Sequence, residues 1–163
     1  MCYNTCTGDY MEFKELTNQE FIDFINSFKF KSIYQTPEYG FIMNNQGYDS
    51  IIVGLLDNNK IIAASLVLIR KENGFKYAYA PKGFLLNYDD PNLLITFSTH
   101  LKKYLSKKGV MGIKINPMII KNIYTNDNEI KNSNYLDLLQ LLLNGFSFVD
   151  MKMYKKPQHL LDF

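Results

Sequence analysis

The chain has 163 residues, 47% of them hydrophobic and 21% charged, with a formal net charge of +2. That length suits one domain with a sizeable core and excludes two domains of ordinary size. Charge is uneven, since residues 1–99 hold eight basic and eleven acidic groups (−3) and residues 100–163 hold ten and five (+5), a tilt that favours an anionic partner but falls short of a dedicated nucleic-acid binder.

Residues 1–10 fit no element and read as an extension, so the expected domain runs over 11–163. Cys2 and Cys6, the only cysteines, lie in that extension without a histidine cluster, so neither a disulfide framework nor a zinc site is expected. Residues 11–16 read as a first strand. Thr17 with Glu20 forms a capping box, and Phe21, Phe24, Ile25 and Phe28 recur at helical spacing behind it. Thr36 followed by Pro37 starts a second helix, expected to end near Gly47. Residues 49–56 and 60–71 turn β-branched and aliphatic around Asp57-Asn58-Asn59, and a third strand, residues 75–80, follows the turn at Glu72-Asn73-Gly74.

Asp89, Asp90 and Pro91 open a long helix with an apolar face of Leu93, Leu94, Phe97, Leu101, Tyr104 and Leu105, closed by Lys107-Lys108-Gly109. Residues 110–115 form a strand after it, so a crossover should set this strand parallel to residues 75–80. Residues 123–133 read as a surface loop, 135–143 as a helix stopped by Gly145, and 146–154 and 158–163 as final strands around Lys155-Lys156-Pro157. The apolar runs stop short of a membrane span and no secretory leader is visible, which predicts a cytoplasmic location.

This order of elements is that of the GCN5-related N-acetyltransferase-like fold, an α/β (α+β) class with a mixed, mostly antiparallel sheet flanked by helices. Fold does not establish chemistry. His100 falls within the long helix and His159 in the last strand, away from any serine or cysteine motif, so no nucleophile triad is expected. An acetyl-CoA enzyme needs a glycine-rich loop whose amides hold pyrophosphate at a helix start. The nearest candidate, Lys107-Lys108-Gly109-Val110-Met111-Gly112, precedes a strand.

Two segments carry a family resemblance. Tyr79-Ala80-Pro81-Lys82-Gly83-Phe84-Leu85-Leu86-Asn87-Tyr88 and Ile113-Lys114-Ile115-Asn116-Pro117 each end a strand-like run at a proline, where polar loops can hold a ligand. They resemble the Y-A-P-R/K-G-P-h-h-D/N-Y and h-K-I-D-P signatures of the Fem aminoacyltransferases, which build peptidoglycan interpeptide bridges. Tyr34-Gln35-Thr36-Pro37-Glu38-Tyr39-Gly40 is similar to that family's Q-S/T-x-x-W segment, and the span from Val53-Gly54 to Ala63-Ala64-Ser65-Leu66 to its hairpin. The stretch from Asn128-Glu129-Ile130 to Asn144-Gly145-Phe146 is similar to its closing loop and helix.

The resemblance implies the first of two related acyltransferase-like halves, one that contributes to binding a UDP-linked or lipid-linked muropeptide. The second half would bring aminoacyl-tRNA as co-substrate, and no cofactor or metal is implied. Substrate contacts would come from Lys82, whose ammonium can pair with pyrophosphate or carboxylate, supported by Tyr88, Asp90, Asn87 and Tyr39; a catalytic residue is not assigned. The family location also admits peripheral contact with the inner membrane face, and a half-protein would self-associate through its C-terminal strand. The chain departs from the family at Tyr39 and Met43, where relatives often carry tryptophan and a precursor-binding lysine, and it has the uncharged Asn87 at the D/N position before Tyr88 and Asn116 at the acidic position before Pro117. Two other readings fit the same residues: a non-catalytic module for a muropeptide or other anion, and a stand-alone acetyltransferase.

Overall fold

The computed structural model describes residues 11–28, 31–119, 122–124, 130–133 and 145–147. They belong to two compact units, Met1–Ile119 and Ile120–Phe163.

The first unit contains β1 (Met11–Glu15), α1 (Asn18–Ser27), a 3-10 turn (Ile33–Gln35), α2 (Pro37–Asn44), β2 (Asp49–Asp57), β3 (Lys60–Glu72), β4 (Phe75–Ala80), α3 (Pro91–Lys107) and β5 (Val110–Ile115). Its five strands lie in the order β1-β2-β3-β4-β5. All neighbours are antiparallel except β4 and β5, which the α3 crossover makes parallel. The β2–β3 hairpin turns through Asn58 and Asn59, both at positive φ (46° and 65°); asparagine tolerates that conformation, and two such residues match the twist of the flanking strands.

The helices form where their caps place them. The Thr17 hydroxyl accepts from the Glu20 amide (3.2 Å) while a Glu20 carboxylate oxygen accepts from the Thr17 amide (2.7 Å), so two otherwise unpaired N–H groups are satisfied. Thr36 caps α2 through the Tyr39 amide at 3.2 Å. The Asp90 carboxylate caps α3, accepting from Asn92 and Leu93 at 3.0 and 3.1 Å.

The sheet is covered on both faces. On one, Phe21, Phe24 and Ile25 of α1 join Leu16, Leu56, Ala64, Leu66, Leu68 and Leu85 in a buried cluster, with Tyr39, Met43, Tyr48 and Tyr79 against it. Gly54 lets Leu16 approach the sheet, because a Cβ there would stand 2.7 Å from Leu16 Cδ1. On the other face α3 buries Leu94, Phe97, Leu101 and Leu105, and the Phe13 ring meets those of Phe97 (5.8 Å) and Tyr104 (5.7 Å). The predicted Leu93 and Tyr104 are only partly buried, and Ser98 takes a core position instead.

In the second unit the sequence expectation of a loop over 123–133 is corrected, because Asn122–Tyr124 (β6) pairs antiparallel with Ile130–Ser133 (β7). Polar composition hid the hairpin, since strands this short show no two-residue alternation. Gly145 has φ +79°, as suits a helix stop. Phe146 and Ser147 are not in a strand, so the strand expected to begin at Phe146 does not start there. The helix expected over 135–143, the rest of the two final strands and the extension at residues 1–10 lie outside the described residues. Among the described residues no helix is long and apolar enough to cross a membrane.

Candidate functional site

Strands β4 and β5 run side by side up to the pair Ala80–Ile115, and the two motif loops leave the sheet together beyond it. Against β3, β4 pairs Tyr79 with Leu68. Pairing with β3 then resumes at Ala64 and Leu85, joined by backbone bonds of 3.0 and 2.9 Å. Unbroken antiparallel register would set Gly83 opposite Ala64, so two extra residues bulge out between Ala80 and Leu85.

The bulge is pinned on every side. Asn116 Oδ1 accepts from the Lys82 amide (2.8 Å) and the Tyr79 hydroxyl (3.1 Å). Gln35 Nε2 donates to the Pro81 carbonyl at 2.7 Å. The Tyr88 hydroxyl accepts from the Phe84 amide (2.8 Å) and donates to the Phe84 carbonyl (3.1 Å). Gly83 packs so closely that a Cβ would stand 2.7 Å from Ser65 Oγ, and the Gly83–Phe84 peptide is cis. Lys82 itself has φ +55°, a conformation disfavoured for a residue with a side chain and held here by its surroundings.

The five predicted contact residues therefore occupy different settings. Lys82 is half-buried, and among the described residues its ammonium has no hydrogen bond or ion pair. Tyr88 follows on the same loop with its hydroxyl spent on Phe84; burial pushes its phenol well above the usual range, so it stays neutral. Asn87 builds the turn before α3, its side-chain oxygen accepting from the Asp89 amide at 3.2 Å. Asp90 is the α3 cap. Tyr39 stands on α2, its ring edge-on to Tyr34 at 5.1 Å, with its phenol raised by burial and then by Tyr34 and Tyr48. The structure gathers Lys82, Asn87, Tyr88 and Asp90 on one loop and leaves Tyr39 on the neighbouring helix.

At Asn87 and Asn116 the side chain serves as an acceptor for a backbone N–H, a role a carboxylate fills equally. Met43 packs on the apolar cluster and supplies no charge. The residues not foreseen are Gln35 and Ser65, both fully buried. Gln35 stands at the Q of the segment similar to Q-S/T-x-x-W, which marks the residue but not its burial, and Ser65 shows only as a polar residue inside an aliphatic run. Two surface grooves lie elsewhere on the unit: one of about 500 Å³ bordered by Glu12, Lys14, Glu20 and Asp23, and one of about 320 Å³ bordered by Ile22, Lys31, Ile33 and Glu38. Lys82 borders neither.

This sheet with its crossover helix defines an acyltransferase-like fold of the GCN5-related N-acetyltransferase type. It superposes on the crystal structure of FemX with a TM-score of 0.68 at 18% identity, over 83% of this chain and 32% of that one. A glucosamine-6-phosphate N-acetyltransferase from Arabidopsis thaliana matches with a TM-score of 0.52 at 13% identity, over 87% and 95% of the respective chains. The FemAB family model matches residues 16–153, and the chain belongs to that family. It is 30% identical over 122 residues to the aminoacyltransferase FemA of Staphylococcus aureus, a match covering 74% of this chain and 29% of the relative. The chain thus spans about three tenths of the length of the curated relatives it matches.

Proposed function

We propose that this chain is the precursor-binding part of an aminoacyltransferase that builds peptidoglycan interpeptide bridges. In the reaction an amine on the precursor's stem peptide attacks the ester carbonyl of an aminoacyl-tRNA. The new amide bond forms as the ester C–O bond breaks, and the proton lost by the amine accompanies the released ribose hydroxyl. Such chemistry needs the two reactants held together more than it needs a strong acid or base, so a site that fixes one of them contributes directly to rate. No cofactor enters this scheme. The reaction takes place on the cytoplasmic side of the membrane, where aminoacyl-tRNA is available.

The observation that carries the reading is Lys82, a half-buried residue whose ammonium has no partner among the described residues and which stands on a turn pinned at positive φ by Asn116 and Gln35. Such an ammonium is available to pair with an arriving pyrophosphate or carboxylate in a charge-assisted contact. Membership of the FemAB family favours a peptidoglycan precursor as the source of that anion, and FemA, the named relative, is an aminoacyltransferase.

Calorimetry with a UDP-linked muropeptide tests the assignment. Lys82→Ala should weaken binding by about 1.5–3 kcal/mol, the worth of a charge-assisted hydrogen bond, and leave the melting temperature nearly unchanged. Equal affinity in the two proteins, or a collapse of stability in the variant, would show Lys82 to be structural.

A further inference from the structure

Where the bulge pushes the chain out of the sheet, β3 loses its backbone partner. Alternate residues of an antiparallel strand turn both their N–H and C=O groups to the same side. Ala64 bonds in this way to Leu85, and Leu68 pairs with Tyr79, so Leu66 between them directs both groups into the gap. Buried backbone groups left unpaired there would be costly.

The Gln35 side chain fills that gap. Its Oε1 accepts from the Leu66 amide at 2.8 Å and its Nε2 donates to the Leu66 carbonyl at 3.1 Å, so one carboxamide stands in for the missing peptide group. Its second amide hydrogen goes to the Pro81 carbonyl at 2.7 Å, and Ser65 Oγ stands 3.5 Å from Oε1. Gln35 thereby occupies the space that a straight β4 would fill and fastens the first residue of the bulge. No apolar side chain of the same shape can do both, and an acid lacks the second donor.

We infer that Gln35 is a positioning residue for the Lys82 turn, a side-chain substitute for backbone pairing that holds the turn in its ligand-ready conformation. The inference rests on the functional reading for its purpose, but its physical content can be tested without any ligand. Hydrogen exchange followed residue by residue on the whole chain reads the Leu66 and Lys82 amides directly, with Val53, fully buried in β2, as the global control. Gln35→Met, close in shape but with no donor and only a weak thioether acceptor, and Gln35→Glu, which retains the acceptor and at most one donor, are compared with the parent.

In at least one variant, exchange should quicken about tenfold or more at both Leu66 and Lys82, while Val53 keeps its protection, the pattern of local opening. Faster exchange at Leu66 alone would mean that Asn116 holds the turn unaided and would overturn the inference. Loss of protection at Val53 in both variants would make Gln35 plain core material and would overturn it equally. A double-mutant cycle with the UDP-linked muropeptide then reads the coupling. If Gln35 acts through Lys82, Gln35→Met lowers affinity in the parent and not in Lys82→Ala; equal losses in both backgrounds would refute that route. Should Lys82→Ala alone leave affinity intact, the ligand assignment fails while the exchange result for Gln35 stands.

Discussion

The Tyr88 hydroxyl shows how a residue read as a ligand contact can be occupied by the fold. It both donates to and accepts from Phe84, closing the far side of the bulge that Gln35 and Asn116 hold on the near side. Tyr88→Phe keeps the ring but strands a partly buried backbone amide. A loss of about 1–3 kcal/mol in denaturant unfolding is expected, and a loss near zero would mean that water replaces the phenol. The residues differed in how far sequence exposed them. Lys82 stands out as a candidate in the sequence because a charged residue sits between proline and glycine at a strand end, where few structural roles exist for it. The role of Gln35 was not legible, because its partners, Leu66 and Pro81, lie 31 and 46 residues away and the Q of the family-like segment does not by itself mark a carboxamide destined for burial.

Among the elements, those with local punctuation were legible. The Thr17 and Glu20 pair, the Asn58-Asn59 turn and Pro91 behind Asp90 each state a boundary through chemistry that acts within four residues. The β4 bulge has no such signal, since its register follows from where β3 and β5 stand. The α1 cap also carries a pH dependence. The Lys14 ammonium and then the Thr17 amide and hydroxyl hold the Glu20 carboxyl at about 2, against an ordinary value of 4.5. A depressed carboxylate pKa stabilises the fold above the unfolded value, and that contribution is lost as pH falls from 4.5 through about 2. Carboxyl NMR titration should find Glu20 still ionised at pH 3 or thereabouts, and Glu20→Gln should remove this share of the acid sensitivity. A Glu20 midpoint near its ordinary value would mean that Lys14 and the Thr17 cap together do not hold the carboxylate in solution.

At the scale of the whole molecule, the fold is shared with acetyl-CoA enzymes, but the start of its crossover helix is arranged differently from a phosphate site. Free amides at a helix N-terminus attract pyrophosphate, whereas here the Asp90 carboxylate already takes the Asn92 and Leu93 amides and adds a negative charge. Calorimetry should therefore detect no acetyl-CoA binding tighter than about 1 mM, roughly −4 kcal/mol. Micromolar affinity would favour an acetyltransferase over the proposed function.

The pinning of the Lys82 turn also bears on the order in which the chain assembles. Hairpins β2–β3 and β3–β4 close over short loops, but the bonds that shape the turn join positions 34 and 46 residues apart, and the first of them exists only after α3 has carried β5 back to the sheet. Distant closures form late because their entropy must be met before their contacts give any return. Asn116→Ala should then accelerate unfolding and leave the refolding rate almost unchanged, a φ-value near zero in stopped-flow chevrons. A φ-value near one would place the turn in the nucleus instead. On this ordering the Lys82 turn, and with it the proposed anion contact, takes shape only once the sheet is complete.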